Sequence, residues 1–280
     1  MRTPARPTST AGPAAPSHHW AARAARAEVI ANRSSRARKE GIGPRLQTLD
    51  VRVEPEAEED IAMREPYVRQ LKLGPMDNFV YLVGPRDSDE VVVVDPAWDV
   101  DAIAEAVKAD GKRVVGAFVS HCHFDHINGL PDLLSMWDVP VYAQREEVQF
   151  SPELRELGGA LRPVGPGDDV RVGSQVFHAL HTPGHTPGSH CLLAGDALVS
   201  GDTVFINGCG RCDLKGGNPE DMYRSLSQVL AKVPDTAKLF PGHDYADVPV
   251  TSMEAVRKKN PYFAFDNVDA FVAFRMRPRK

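Results

Sequence analysis

The chain has 280 residues, of which 42% are hydrophobic and 25% charged, the balance of a globular protein long enough to bury a sizeable core. No apolar run approaches the ~18 residues of a membrane span, so no membrane association is expected, and four cysteines are too few for a disulfide scaffold, which predicts thiols and a cytoplasmic location. Residues 1–40 hold eight basic and two acidic side chains; against −5 for the whole chain the remainder carries −11, which argues against nucleic acid as a partner.

The first stretch, residues 1–45, is rich in Ala, Pro, Ser and Arg, with Pro4, Pro7, Pro13 and Pro16 close together, and reads as a disordered basic extension. Its Arg- and Ser-rich, acid-poor texture is also that of an organellar transit peptide, so an organellar matrix is the alternative location. No apolar h-region follows the early arginines, against a secretory signal.

A catalytic domain is predicted over 46–250. Within it, 67–73 and 78–83 read as strands joined by Gly74-Pro75, and Val91–Val94 as a buried strand ending at Asp95-Pro96. A helix is predicted over 100–109, stopped by Gly111, then a buried strand over 114–120, a helix over 130–137 and a strand over 139–143. Short strands follow at 170–172, 175–180, 191–193 and 197–200, then a helix over 219–230 and a strand over 238–240. The polar clusters come directly after strands, as in an α/β domain whose site is built from strand-end loops.

One such cluster is His121-Cys122-His123-Phe124-Asp125-His126, which places four N/O metal-ligand side chains in six residues. In an extended loop His121 and His123 point the same way and reach one metal, while Asp125 and His126 turn toward a second position. Three more candidates also follow strands: His185 in a Thr-Pro-Gly-His-Thr-Pro-Gly loop, Asp202 in Gly-Asp-Thr, and His243 in Gly-His-Asp.

The motif His121-x-His123-x-Asp125-His126, followed by His185, Asp202 and His243, resembles the metallo-β-lactamase superfamily. The resemblance implies a four-layer αββα sandwich with the metal site along one edge of its two sheets. It also implies that His121, His123 and His185 hold one metal, that Asp125, His126 and His243 hold a second, and that Asp202 bridges them. Two divalent ions are expected, zinc first and iron as the alternative. Such a pair, about 3.5–4 Å apart, lowers the pKa of bound water to about 7 and polarises a carbonyl. A thiolate, with a pKa of about 8.5, leaves without a protein acid, whereas a β-lactam nitrogen needs a proton. No second acid stands near the motif, and Asp202 occupies a position where lactamases carry cysteine.

Gly201-Asp202-Thr203-Val204-Phe205 and Gly208-Cys209-Gly210-Arg211 are similar to the glyoxalase II (hydroxyacylglutathione hydrolase) branch. This implies a metallo-hydrolase that cleaves a small-molecule thioester, with Asp125 orienting the nucleophile and Arg211 binding the thiol part of the substrate. The persulfide dioxygenases are also similar, sharing the Gly-Cys-Gly-Arg run and a Cys between the first histidines. They imply the alternative of a single iron on His121, His185 and Asp202. A non-catalytic metal-binding scaffold is the third alternative. The chain departs from glyoxalase II at Arg211 and Asp213, where Lys and Tyr are usual, and after Asn260-Pro261, where Tyr262, Phe263 and Ala264 replace an Arg-bearing segment.

Cys209-x-x-Cys212 lacks a second such pair and reads as incidental. His178, His181 and His190 are expected to pack or to support neighbours. The aromatic and basic tail, 251–280, is expected to be helical and to lay Tyr262, Phe263, Phe265, Phe271 and Phe274 on the domain, with a wall of the substrate pocket as the competing role.

Overall fold

Four-residue β-branched runs such as Val91–Val94 have no polar side chain for solvent, so their strands must be covered on both faces. The computed structural model describes residues 65–278 and shows how; the basic extension, Arg279 and Lys280 lie outside the described residues.

The first sheet runs β1 (Tyr67–Leu73), β2 (Asn78–Gly84), β3 (Glu90–Val94), β4 (Arg113–Val119), β5 (Val141–Gln144) and β6 (Leu161–Val164) in that spatial order. Its first two pairings are antiparallel and its last three parallel. The second sheet has the order β14-β13-β10-β9-β8-β7, built from β7 (Asp169–Val172), β8 (Gln175–His181), β9 (His190–Ala194), β10 (Ala197–Gly201), β13 (Lys238–Pro241) and β14 (Thr251–Ser252). β10 and β13 are parallel, so their carboxyl ends share an edge. Between them in sequence lies a two-stranded ribbon, β11 (Val204–Phe205) and β12 (Gly208–Cys209).

The period-two alternation of the strands sorts the core into three apolar layers. Val80, Leu82, Val91 and Val93 face outward onto helices α1 (Val100–Ala109) and α3 (Leu130–Met136), meeting Ile103, Val107, Leu130 and Leu133. Their alternates Phe79, Tyr81, Val83, Val92 and Val94 face the second sheet, meeting Phe177, Ala179, Leu192 and Val199. On the far side Leu198 and Leu239 of the second sheet bury Met222, Leu226, Met253, Val256 and Phe271. The last of these come from α6 (Pro219–Arg224) and the turns after it, α7 (Met253–Lys259) and α8 (Val268–Arg275). Three apolar layers separate four structural ones, which is the αββα sandwich.

The helices have local causes. Asp99 caps α1 by accepting from the Ala102 N–H at 2.9 Å. Asn267 caps α8 through Ala270 in the same way. In the tail, Phe271 is fully buried against Tyr223, Tyr262 and Phe265, so these aromatics pack on the third layer.

Candidate metal centre

The carboxyl ends of β3 and β4 deliver the first half of the centre. β3 stops at Asp95, which is buried and holds a left-handed backbone (φ 53°) that Asp tolerates better than most residues. Its Oδ1 accepts from the Ser120 N–H and its Oδ2 from the Ser120 hydroxyl, both at 2.6 Å, and His126 Nδ1 donates to Oδ2 at 2.9 Å. Because the Ser120 proton is committed to Asp95, His121 Nδ1 is the donor in its 3.0 Å contact with Ser120 Oγ. Both imidazoles are thereby fixed with the lone pair on Nε2.

The second half follows the same rule. His185 Nδ1 donates to the Arg211 carbonyl at 2.8 Å and His243 Nδ1 to the Met76 carbonyl at 2.9 Å; a carbonyl only accepts, so again Nε2 faces inward unprotonated. Asp202 follows Gly201, whose φ of +47° and whose approach to Ser120 leave no room for a side chain: a Cβ there would lie 2.2 Å from Ser120 Oγ. Gly210 is similarly confined, since a Cβ would lie 2.0 Å from the Asp202 carbonyl oxygen and 2.9 Å from the His185 ring. The Gly-Cys-Gly-Arg run therefore backs the centre directly.

The predicted extended loop ends at His123. Phe124–Ile127 is a helical turn, α2, and it is this turn that separates the ligands into two sets. His121, His123 and His185 form one group, and Asp125, His126 and His243 another, with ligand atoms in each group within 4.8 Å of one another. Asp202 lies between them: Oδ1 is 3.4 Å from both His126 Nε2 and His243 Nε2, and Oδ2 is 3.6 Å from His185 Nε2. Asp125 Oδ2 stands 3.4 Å from His243 Nε2 and 3.6 Å from His126 Nε2, steadied by the Asn78 side-chain amide at 3.0 Å. All seven residues singled out in the sequence meet at one sheet edge.

The donor set fits a cation. His121 Nε2, His185 Nε2 and Asp202 Oδ1 are buried with no hydrogen-bond partner, a cost of about 1–3 kcal/mol each in a closed site. All three are electron-pair donors that converge. His126 Nε2 and His243 Nε2 face each other at 3.2 Å, two lone pairs that a positive charge reconciles. Burial, reinforced by neighbouring imidazoles, pushes His121 well below the ordinary histidine range, and burial takes His123 down to about 4 and also lowers His185. These rings stay neutral and available as ligands. Burial opposes charge on His126 too, yet Asp202, Asp95 and Asp125 outweigh it and carry it up to about 9. His243 is raised in the same field, chiefly by Asp202 against burial. The carboxylates thus create the negative potential that a divalent ion would meet.

Two residues that hold the centre escaped the sequence reading. Asp95 read only as the end of a strand. Glu147, on α4 (Arg145–Phe150) and fully buried, accepts from the Cys122 N–H at 2.6 Å through Oε1, and from the Thr186 hydroxyl and Gly188 N–H at 2.8 Å through Oε2. One carboxylate therefore clamps the His121–His123 loop to the His185 loop. An Asp after a buried β-branched run was a usable signal for the first; Arg-Glu-Glu gives none for the second.

Arg211 is half-exposed, and its fork is taken by Asp213, with Nε and Nη2 donating at 2.9 and 2.8 Å. Its tie to the centre runs through the backbone, by the carbonyl that receives His185. Behind it, buried Arg275 of α8 donates from Nε to the Gly210 carbonyl at 2.9 Å. His178 pairs with Asp169, His181 Nε2 donates to the Pro187 carbonyl, and His190 is buried. Neither these histidines nor Cys209 and Cys212 belong to a metal-holding group among the described residues.

A family model, the Metallo-beta-lactamase superfamily, matches residues 73–243, and the chain belongs to that superfamily. Among its relatives, the Bacillus velezensis protein named "Probable polyketide biosynthesis zinc-dependent hydrolase BaeB" is 32% identical over 200 residues, 71% of this chain and 88% of that one. A hydroxyacylglutathione hydrolase of Alkalilimnicola ehrlichii is 37% identical over 187 residues, 66% and 68% of the two chains. The mitochondrial persulfide dioxygenase ETHE1 of Mus musculus is 31% identical over 188 residues, 65% and 70% of the two. The crystal structure of ETHE1 from Myxococcus xanthus matches with a TM-score of 0.68 at 31% identity, covering 76% of this chain and 92% of that one. Hydrolases and dioxygenases thus both stand among the relatives of a metal-binding, hydrolase-type fold.

Proposed function

We propose that the chain is a metal-dependent hydrolase of a small-molecule thioester, in which His121, His123 and His185 would hold one divalent ion and Asp125, His126 and His243 a second, with Asp202 offering an oxygen to each group. The observation that carries this reading is the second group: Asp125, His126 and His243 bring three further ligand atoms within 4.8 Å of one another beside Asp202, enough donors for a second ion. Bound divalent ions, zinc in the first instance, supply Lewis acidity to the carbonyl oxygen and acidify water.

The chain's own groups do the rest. Asp125, whose Oδ2 accepts from the Asn78 amide, orients the attacking water, and of the water's two protons one ends on the released thiol and one in solvent. The C–S bond breaks as a C–O bond to water forms, giving a carboxylate and a thiol with no change in oxidation state. The thiolate is a good leaving group, so no further acid is required. Arg211 meets an anionic thiol moiety by exchanging Asp213 for it. A reducing, cytoplasmic compartment goes with this reading, supported by four cysteines of which none is in a disulfide.

A second reading has its own observation. The three buried atoms without partners, on His121, His185 and Asp202, are the set that the resemblance to persulfide dioxygenases assigns to one iron. Two assays on the same purified protein separate the readings. Thiol release from a panel of acyl thioesters, with no oxygen uptake on glutathione persulfide, is the expected result. Oxygen uptake with persulfide and no thiol release overturns it.

A further inference from the structure

The wall of the centre on the His243 side is apolar. Phe205, Ile206, Pro241, Tyr245 and Val248 line a groove into which the His243 ring opens. Tyr245 stacks flat on His243, with centroids 4.7 Å apart and planes 7° from parallel, and the edge of Phe205 meets Tyr245 at 5.3 Å. Among the described residues, no Lys, Arg, Asp or Glu lines the groove.

Two further observations show that this surface is built to receive something. Among the described residues, six large hydrophobic side chains are exposed, and two of them, Tyr245 (57%) and Val248 (48%), line this groove; a third, Met76, gives its backbone carbonyl to His243. Clustered exposed apolar side chains beside a polar centre are unfavourable in water unless a ligand covers them. The groove wall is also rigid. Buried Asn260 donates from Nδ2 to the carbonyls of both Phe205 and Gly208 at 2.9 Å, pinning the β11–β12 ribbon whose tip, Ile206 and Asn207, forms one side. A wall fixed in advance loses little entropy when a chain lies along it.

We infer that this groove takes the acyl chain of the substrate, and that the chain is apolar: the enzyme acts on thioesters of unbranched fatty or similar hydrocarbon acids in preference to short hydroxyacyl ones. This rests on the thioester reading above. An acyl chain lying against Tyr245 and Val248 leaves its thioester carbonyl beside His243 and the second ligand group. A short hydroxyacyl group would leave most of this apolar lining, Phe205, Ile206, Pro241 and Val248, uncovered, and only Asn207 and the Tyr245 hydroxyl offer it side-chain donors from the wall.

Thiol release is measured on N-acetylcysteamine thioesters carrying acetyl, butyryl, hexanoyl and octanoyl groups. In parallel, calorimetry compares uncleavable S-octyl and S-methyl thioethers of the same thiol on the protein as purified. The expected result is a rise in kcat/KM of about fourfold per methylene, in line with the transfer of a CH₂ from water, and S-octyl binding at least tenfold tighter than S-methyl. Val248→Asp, at an exposed position that tolerates the change, is expected to lower octanoyl cleavage about tenfold more than acetyl cleavage. A flat kcat/KM series with equal binding of the two thioethers overturns the inference and leaves the hydrolase reading in place. If no thioester is cleaved, the hydrolase reading falls, and the thioether pair alone decides the groove: a tenfold preference for S-octyl upholds it as an apolar site, and equal binding rejects it.

Discussion

Asp202→Asn is expected to cut kcat/KM for thioester cleavage by roughly 10³-fold, about 4 kcal/mol of transition-state stabilisation, and to leave the purified protein with fewer bound ions. The reason lies in how its oxygens are shared. Oδ1 faces His126 and His243 at 3.4 Å while Oδ2 faces His185 at 3.6 Å, so an amide of identical shape must present an NH₂ to one group or the other. That side then meets a cation with a donor where it had a lone pair. The largest part of the negative field that raises His126 and His243 is also lost with the charge, leaving Asp95 and Asp125 to act on His126. Activity and metal content are read on the same preparation, with thermal unfolding as a check that the sandwich persists. Unchanged activity with unchanged metal content would remove Asp202 from the centre.

Glu147→Ala is expected to destabilise the protein by about 3–5 kcal/mol, because the Cys122 and Gly188 N–H groups lose their acceptor in a site with no water access. The Thr186 hydroxyl is less affected, since Ser189 Oγ lies 2.7 Å away. The loops that carry His121, His123 and His185 then lose their common anchor, and metal affinity is expected to fall about 10–100-fold, the usual consequence of removing a group that orients a ligand. Glu147→Gln keeps the volume but turns a donor toward one of these N–H groups, and is expected to fall between wild type and Ala. Chemical denaturation and competition with a chelator measure the two effects separately. If metal affinity held while stability fell, Glu147 would be a fold residue with no bearing on the centre.

What was legible before the structure depended on how local its cause is. Strand β1 and helix α1 occupy the predicted residues, β3 and β10 extend the predicted runs by one residue, and β4 lies one residue earlier than predicted, because buried β-branched runs and an Asp cap act within a few residues. The seven candidate ligands also stood out, because unusual residue types were crowded after strands. The turn at Phe124–Ile127 did not, since four residues carry no period, yet it is what divides the ligands. β6 was masked by Pro163, which only an edge strand accepts, and β6 is at the edge of its sheet. The helix expected over 219–230 is α-helical only to Arg224, then widens into a π turn at Ser225–Val229 and tightens at Leu230–Lys232. Ser225 donates its hydroxyl to the Pro183 carbonyl in the His185 loop there, a tertiary contact that periodicity does not report. Glu147 was hidden for the same reason: all three of its partners are distant in sequence.

The same distinction explains Arg211. A forked guanidinium beside a motif suggests an anion, and an anion is what it holds; that anion is the chain's own Asp213. The apolar groove beside His243 had no such signature, because Phe205, Tyr245 and Val248 are scattered over more than forty residues of sequence and converge only when β10 and β13 lie parallel.

The number of ions per chain tests the two-group centre most directly. Protein purified without added metal is analysed by inductively coupled plasma mass spectrometry after extensive dialysis. The geometry of Asp202 between two complete ligand groups predicts two divalent ions per chain, zinc the more abundant. One iron per chain, unchanged by supplying zinc or by Asp125→Ala, would contradict it.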